Sequence, residues 1–454
     1  MKEVKWAFLL IISTAVIAHV YLLLRFVPRI HSRNSRTNTS PQSLSQSNVS
    51  HVEGRPHRLE RDENSHSETL VPRALVEKPR KIEVTNGATH SGPCFYRIQV
   101  YNRGEILTKH RPALKTIVEQ SHGKADVRAN VSCSNDCIVE LTIAGDENKF
   151  AGMDAVVFHF MKNLIPRPHP PAGMNPNQTW VYFSWESPWS NAHEGGNIAK
   201  LPVHVVWTYY RGSDLTLPYG YYDPKSTPMA RETKSMDEWL QGKTKLIAWM
   251  ASNCKNTVWP RSGFVREMQK YIQVDVYGAC GKLKCTPSWD TKCTVDLVRQ
   301  YKFYLSLENA ECEDYITEKL WNKPLTQGVV PIVYGPTRKV YEDLLPPNSF
   351  IYIGDYKSMK ELVDYIKLLD SKPELYVEYL KWQYKGNVGV NQVMHESYDP
   401  GIFCNLIPFI DKVKRDKLRR IPVGKSTFSK TCRKREKLQF QNVSAFGLGG
   451  WEPW

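Results

Sequence analysis

Between Lys245 and Asp355 the chain repeats one short pattern, an apolar β-rich run followed by a polar or helical interval. The runs are "KLIAWMASN" (245–253), "YIQVDVYG" (271–278), "YKFYLSLEN" (301–309), "VVPIVYG" (329–335) and "SFIYIGD" (349–355). Apolar residues recur at helical spacing over 261–270, 314–327 and 337–345, and two further helical stretches, 358–370 and 373–385, close the unit. Parallel neighbours need a crossover, so strand–helix–strand alternation implies an α/β fold in which a parallel sheet is covered by helices on both faces. Ligands of such sheets bind outside the carboxyl ends of the strands.

That rule directs attention to "DYITEKLWNKPLTQG", residues 314–328. The preceding strand ends at Glu308 and Asn309, on the rim, and the helix expected to start at Asp314 turns its positive dipole end to the same rim. Lys319 adds a full charge there, and Arg261, opening the helix after the first strand, adds a second with a shape suited to phosphate. Glu318 has the chemistry to accept from ribose hydroxyls. The group reads as a nucleotide-diphosphate pocket. Pattern alone is equally met by a helix whose acidic residues serve its own dipole and whose lysine is solvated.

With 454 residues and 41% hydrophobic content, the chain holds enough apolar material for more than one core. The net charge of +15 is concentrated in 25–80 and 412–437, flanks where charge solvates. No zinc-finger spacing or other recognition module accompanies it, so nucleic acid is not an expected partner.

Residues 6–24, "WAFLLIISTAVIAHVYLLL", carry no charged side chain over 19 positions, long enough for a membrane-crossing helix and longer than the apolar part of a cleaved signal. Lys2 and Lys5 before the run are outnumbered by Arg25, Arg29, Arg33 and Arg36 after it, which by itself argues against a lumenal carboxyl side. Five Asn-x-Ser/Thr acceptors (Asn38, Asn48, Asn130, Asn177 and Asn442) and ten cysteines without zinc spacing argue for it. The expectation is a single-pass protein with its bulk in the secretory pathway. Its segments are a cytosolic tail 1–5, an anchor 6–24, a disordered stem 25–92 rich in Ser, Asn, Arg and Pro, and domains 93–240 and 241–400, followed by a basic extension 401–454.

The first folded unit is marked by "CIVELTI" (137–143), "DAVVFHF" (154–160) and "TWVYFSWES" (179–187). The last run carries Glu186 at its end, with Trp185 and Trp189 placed to stack on a sugar face. A strand-end carboxylate paired with a local Arg accounts for Glu186 equally, and Glu194 is its neighbour in competition. The loop "VVWTYYRGSDLTLPYG" brings Tyr210, Arg211 and Asp214; its plainer reading is a turn stabilised by Asp214. Trp239, Trp249, Trp321 and Trp382 are expected in the core.

The stretch "YKFYLSLENAECEDYITEKLWNKPLTQGVVPIVYGP" (301–336), with "YEDLLPPNSFIYIGDY" and "WTYYRGSDLTLPYG", resembles the α1,3/4-fucosyltransferases over about 130–405. The resemblance implies a GT-B fold, two Rossmann-like domains facing across a cleft, that moves L-fucose from GDP-fucose to GlcNAc of a glycan with inversion. It implies GDP contacts at Arg261, Glu318 and Lys319, further donor positions at Glu308, Asn309, Tyr315, Tyr210 and Asp214, and Glu186 as base, since "FSWESP" matches the family's strand-end motif. Inverting transfer needs a base for the acceptor hydroxyl and no acid, because GDP leaves as a stabilised anion.

No D-x-D triplet occurs in the chain, so cationic side chains are expected to meet the diphosphate. No cofactor or metal is expected to be required, any Mn²⁺ effect being stimulatory only. One departure stands out: the family's closing C-x-x-C is reduced to Cys404, with Ile407 in the second place and Cys432 as a substitute. Cys133 and Cys137 are candidate partners, and the connectivity stays open. A catalytically silent lectin-like protein and a membrane-tethered scaffold are the other functional classes open to such a chain. The choice between antennal and core GlcNAc is open too.

Overall fold

The computed structural model describes residues 82–83, 94–101, 127–134, 136–159, 177–190, 198–285, 291–391 and 400–433. The apolar run 6–24 and the sequons at Asn38, Asn48 and Asn442 lie outside these residues, as does the expected disordered stem 25–92 except for Ile82–Glu83, which pair as a strand with Val131 and Asn130. Among the described residues no helix is long and apolar enough to cross a membrane.

In chain order the amino-terminal strands are β1 (Ile82–Glu83), β2 (Phe95–Tyr101), β3 (Val127–Ser132), β4 (Ile138–Ala144), β5 (Ala155–His159), β6 (Thr179–Ser184), β7 (Pro202–Val203), β8 (Val205–Thr208), β9 (Leu215–Thr216) and β10 (Gly220–Asp223). Eight of them form one sheet in the order β1-β3-β4-β2-β5-β6-β8-β9, parallel from β4 onward and antiparallel at the β1 and β3 edge. Strand β6, "TWVYFS", is buried at all six positions, as a parallel strand covered on both faces must be.

The carboxyl-terminal strands are β11 (Lys245–Met250), β12 (Asp275–Tyr277), β13 (Tyr301–Leu307), β14 (Val330–Tyr334), β15 (Ile351–Tyr352), β16 (Asn387–Val390) and β17 (Ile421–Pro422). Strands β11 to β15 make a five-stranded sheet, all parallel, in the order β12-β11-β13-β14-β15. The order reverses direction between β11 and β13, and a crevice opens at such a switch point because the flanking crossovers depart to opposite faces. Helix Met359–Ser371 shows why the layers hold. Ser358 accepts from the Glu361 N–H at its start, and Met359, Leu362, Val363, Ile366 and Leu369 recur at helical spacing on the buried stripe.

The expected helix 314–327 is much shorter. Only Glu318–Trp321 is α-helical, followed by a single 3₁₀ turn, Leu325–Gln327. Pro324 lacks the N–H a continuing helix requires, and Asp314 sits at φ 57° in the left-handed region. Helix Thr291–Val298 is an addition, since its apolar spacing was not read as helical. The four tryptophans expected in the core are each no more than 4% exposed.

Two small two-stranded sheets and the residues after 400 link the amino- and carboxyl-terminal parts. Strand β10 pairs with β16, and residues 400–433 return to the amino-terminal sheet: Cys133 is bridged to Cys404, Lys414 meets Asp154 at 2.7 Å, and β17 pairs with β7. All ten cysteines are paired, the other bridges being Cys94–Cys137, Cys254–Cys280, Cys285–Cys293 and Cys312–Cys432. Cys432 thus closes on Cys312, within 301–336, and does not take the place of the cysteine replaced by Ile407.

Candidate active site

Glu308, 1% exposed, directly follows strand β13, and this carboxylate organises the rim. Gly335 is obligatory beside it, because a Cβ there would lie 2.9 Å from the Glu308 side chain. Glu308 Oε1 accepts from the Thr317 N–H at 2.8 Å, Oε2 accepts from Thr317 Oγ1 at 2.8 Å, and Lys319 Nζ lies 3.2 Å from Oε2. Lys319 Nζ also lies 3.3 Å from Glu318 Oε1 and donates to Thr317 Oγ1 at 2.9 Å. Thr317, N-cap of the short helix, is therefore the hub of the cluster.

Electrostatics follow from the burial. Removal from water, with Glu318 alongside, pushes the Glu308 carboxyl above its usual range against the pull of Lys319. Burial opposes the Lys319 charge, but the carboxylates of Glu308 and Glu318 outweigh it and raise the ammonium. Burial also works against ionised Glu318, yet Lys319 and Lys323 prevail and hold it below the carboxylate range. Lys323, 6% exposed and 5.9 Å from the centre of the Tyr304 ring, is lowered by burial to about 8.

Arg261 lies beneath this rim, 2% exposed, at the β11/β13 switch point. Its Nη1 donates to the Leu307 carbonyl at 2.8 Å and its Nη2 to the Asn253 carbonyl at 2.7 Å, which ties the ends of β13 and β11 together. Its Nε and Asn309 Oδ1 are buried polar atoms without partners among the described residues. Burial, partly offset by Glu308, lowers the guanidinium.

Glu186 follows the end of β6, and Tyr315 Oη donates to its Oε2 at 3.0 Å. The 314–328 stretch and the amino-terminal sheet therefore meet at this carboxylate. Burial and the Glu186 charge push the Tyr315 phenol well up, so it remains a donor. Tyr209 and Tyr219 pack against the Tyr315 ring at centroid distances of 5.0 and 6.4 Å.

The remaining predicted residues divide. Trp185 is not a sugar platform. It is 5% exposed, packs on Phe183, and donates from Nε1 to the Leu217 carbonyl at 2.9 Å, so its faces are spent on the core. Trp189 is only partly buried, against the same core. Asp214 is also redirected: its Oδ2 accepts from the Val206 N–H at 2.8 Å, the stabilised turn that was its plainer reading. Tyr210 is half-buried, its N–H donating to Thr208 Oγ1 at 3.2 Å. Of the described sequons, Asn177 is exposed and Asn130 lies in β3.

Sequence reasoning gave no role to the clamp beside the site. Arg211, from the Tyr210 loop, meets Asp314 through Nη2–Oδ1 at 2.8 Å and Nε–Oδ1 at 3.1 Å, and its backbone N–H donates to Oδ2 at 2.9 Å. The opposite charges were visible; their pairing across 103 residues was not. Thr317 had a legible signal, a Thr directly before Glu in the first turn. Among the described residues no group of three or more His, Cys, Asp or Glu side chains is placed to hold a metal ion.

Fold and rim define an α/β protein whose cation-bearing switch point faces a carboxylate presented by a second sheet. The comparisons make this specific. The profile of glycosyltransferase family 10 (fucosyltransferase), C-term, matches residues 240–422, and that of the fucosyltransferase N-terminal region matches 105–220. The chain belongs to this fucosyltransferase family. It is 36% identical over 286 residues to the alpha-(1,3)-fucosyltransferase fut-1 of Caenorhabditis elegans, covering 62% of each chain. It is 36% identical to glycoprotein 3-alpha-L-fucosyltransferase A of Drosophila melanogaster (58% of this chain, 50% of that protein) and 34% identical to alpha-(1,3)-fucosyltransferase 7 of Homo sapiens (52% and 65%). The chain thus spans half to about two thirds of the length of the relatives it matches.

Proposed function

We propose that this chain transfers L-fucose from GDP-fucose to a GlcNAc hydroxyl of a glycan, in α1,3 linkage and with inversion at the sugar carbon. The observation that carries the reading is the 3.0 Å hydrogen bond from Tyr315 to Glu186, which sets a single carboxylate against the donor motif. Membership of the fucosyltransferase family and the names of the relatives support it.

Glu186 takes the proton of the acceptor hydroxyl as the oxygen attacks the fucose carbon, and GDP departs with the bonding pair. Lys319, Lys323 and Arg261 offset the charge developing on the diphosphate; one such preorganised interaction is worth about 10² to 10³ in rate. Arg261 Nε and Asn309 Oδ1 are the groups we assign to the donor. Glu318, held ionised, accepts from the ribose hydroxyls. The two sheets are read as the facing Rossmann-like domains of a GT-B enzyme that requires no metal. Its place is the Golgi membrane, anchored by 6–24 with the folded part lumenal, a reading supported by the five sequons and the fully paired cysteines.

The test is an acceptor panel, LacNAc and an N-glycan core, with GDP-fucose and the purified chain. Fucosylated product and released GDP are expected. Glu186→Gln is expected to abolish transfer and leave GDP affinity unchanged; equal loss of both contradicts the assignment. Transfer to no acceptor with GDP-fucose still bound would leave a lectin-like protein, and no GDP binding at all a scaffold.

A further inference from the structure

At the opposite edge of the five-stranded sheet, where the strands begin, a cavity of about 270 Å³ is lined by Lys234, Trp239, Lys243, Arg299, Gly328 and Gln383, among others. Lys243, Arg299 and Gly328 each stand within two residues before a strand, β11, β13 and β14 respectively. Glu308 lies just past the far end of the seven-residue β13, so the cavity is roughly 20 Å from the donor rim.

Basic side chains outnumber acidic ones in this cavity. Lys243, half-buried, donates from Nζ to the Gly328 carbonyl at 2.9 Å, and burial together with Lys234 and Arg299 pushes it down to about 7. Lys234 Nζ stands 3.8 Å from the centre of the Trp239 ring, with Glu238 the nearby carboxylate acting on its charge. Arg299 spends Nε on Gln327 Oε1 at 2.8 Å. The one acid in the lining, Glu238, is already occupied, pairing with Arg231 and accepting from the Ser235 N–H at 2.7 Å. Gln383 is 5% exposed, and its Nε2 is a buried donor without a partner among the described residues. Buried donors are rarely left unsatisfied, so this amide marks a place for an acceptor.

Lys234 and Arg299 as cations, Lys243 as a further nitrogen, an acid already paired and an orphan amide leave the cavity with an excess of donors and of positive charge. Its ligand must bring the acceptors and negative charge, and the volume, at the low end for ligand sites, admits a small group and not a nucleotide. Lys234 already covers the Trp239 ring, so that ring is no platform for a sugar face. We propose that this cavity is a second anion site, taking one phosphate- or sulfate-type oxyanion, separate from the donor site.

The oxyanion reaches it either as a free ion or as a substituent on a sugar, and the test separates the two. Inorganic sulfate titrated calorimetrically into the full chain is expected to bind with one-to-one stoichiometry. The affinity should fall at least tenfold in Arg299→Gln, an exposed residue whose change leaves the fold intact, and likewise in Lys234→Gln. It should be unchanged in Lys319→Ala, where the donor rim is disabled. A sulfated GlcNAc monosaccharide binding more tightly than inorganic sulfate identifies a sugar-borne group; equal affinity identifies the free ion, and either result supports the site. Absence of binding at millimolar sulfate, or binding lost in Lys319→Ala and kept in Arg299→Gln, overturns the proposal. Neither result bears on whether fucose is transferred.

Discussion

Asp314 is the point where substitution is expected to lower stability and catalysis together while sparing GDP affinity. Its carboxylate, 3% exposed, takes three donors from Arg211 while its backbone stands at φ 57°. A hydrogen bond to a charged group is worth about 1.5–3 kcal/mol, but the Arg211 side chain is 37% exposed and rehydrates when released. Halving the guanidinium share and adding about 1 kcal/mol for the backbone N–H gives roughly 2–3 kcal/mol for the clamp. Asp314→Asn retains one acceptor and tolerates the left-handed backbone, so it should cost about 1–2 kcal/mol. Asp314→Gly loses the clamp without backbone strain, about 2–3 kcal/mol, whereas Asp314→Ala adds about 1 kcal/mol of left-handed strain. The expected order of thermal midpoints is therefore Asp, Asn, Gly, Ala. Because Tyr315 is the next residue and positions Glu186, kcat should fall in the same order while GDP affinity changes little. An alanine variant as stable as the asparagine one, or GDP affinity falling in step with kcat, would refute the reasoning.

Lys319→Ala is expected to weaken GDP binding about 10²-fold and to destabilise the fold, because Glu308, 1% exposed, is left without its cation; adding Glu308→Gln should restore the thermal midpoint but not the affinity, which calorimetry can separate. His204 Nδ1 accepts from the Trp180 N–H at 3.0 Å, and burial, with Arg420 nearby, lowers its pKa to about 4. The unfolded chain thus takes up this proton first, so stability is full above about pH 6.5 and lost as pH falls toward about 4; His204→Gln should flatten that part of the denaturation profile. Transfer measured in excess EDTA should match the untreated rate, and loss of activity restored by Mn²⁺ would count against cationic side chains as the diphosphate partner.

The second sheet was legible because its strands are buried on both faces: "VPIVY" is apolar throughout and "YKFYLSL" is broken only by Lys302 and Ser306, both are bounded by turns, and local patterning is enough to find them. The end of β13 therefore placed Glu308 and Asn309 on the rim from sequence alone. Helix length was less legible, since "YITEKLWNKPL" has helical spacing and only the competition between Pro324, the left-handed Asp314 and the Thr317 cap decides where the helix starts and stops. Trp185 misled for a related reason, as an aromatic next to a strand-end carboxylate looks the same whether its face meets a sugar or Phe183.

The sequence by itself determined the parallel alternation, the ionisable residues of the donor motif and Glu186 as a carboxylate at a strand end, because each rests on neighbours within a few residues. Tertiary structure alone decided that Tyr315 reaches Glu186 across 129 positions, that Arg211 grips Asp314, that Asp214 is spent on a backbone N–H, and that Cys432 closes on Cys312. Those outcomes depend on which surfaces pack together, and the free energy of burying a charge or satisfying a donor is fixed by partners distant in the chain that no local pattern encodes.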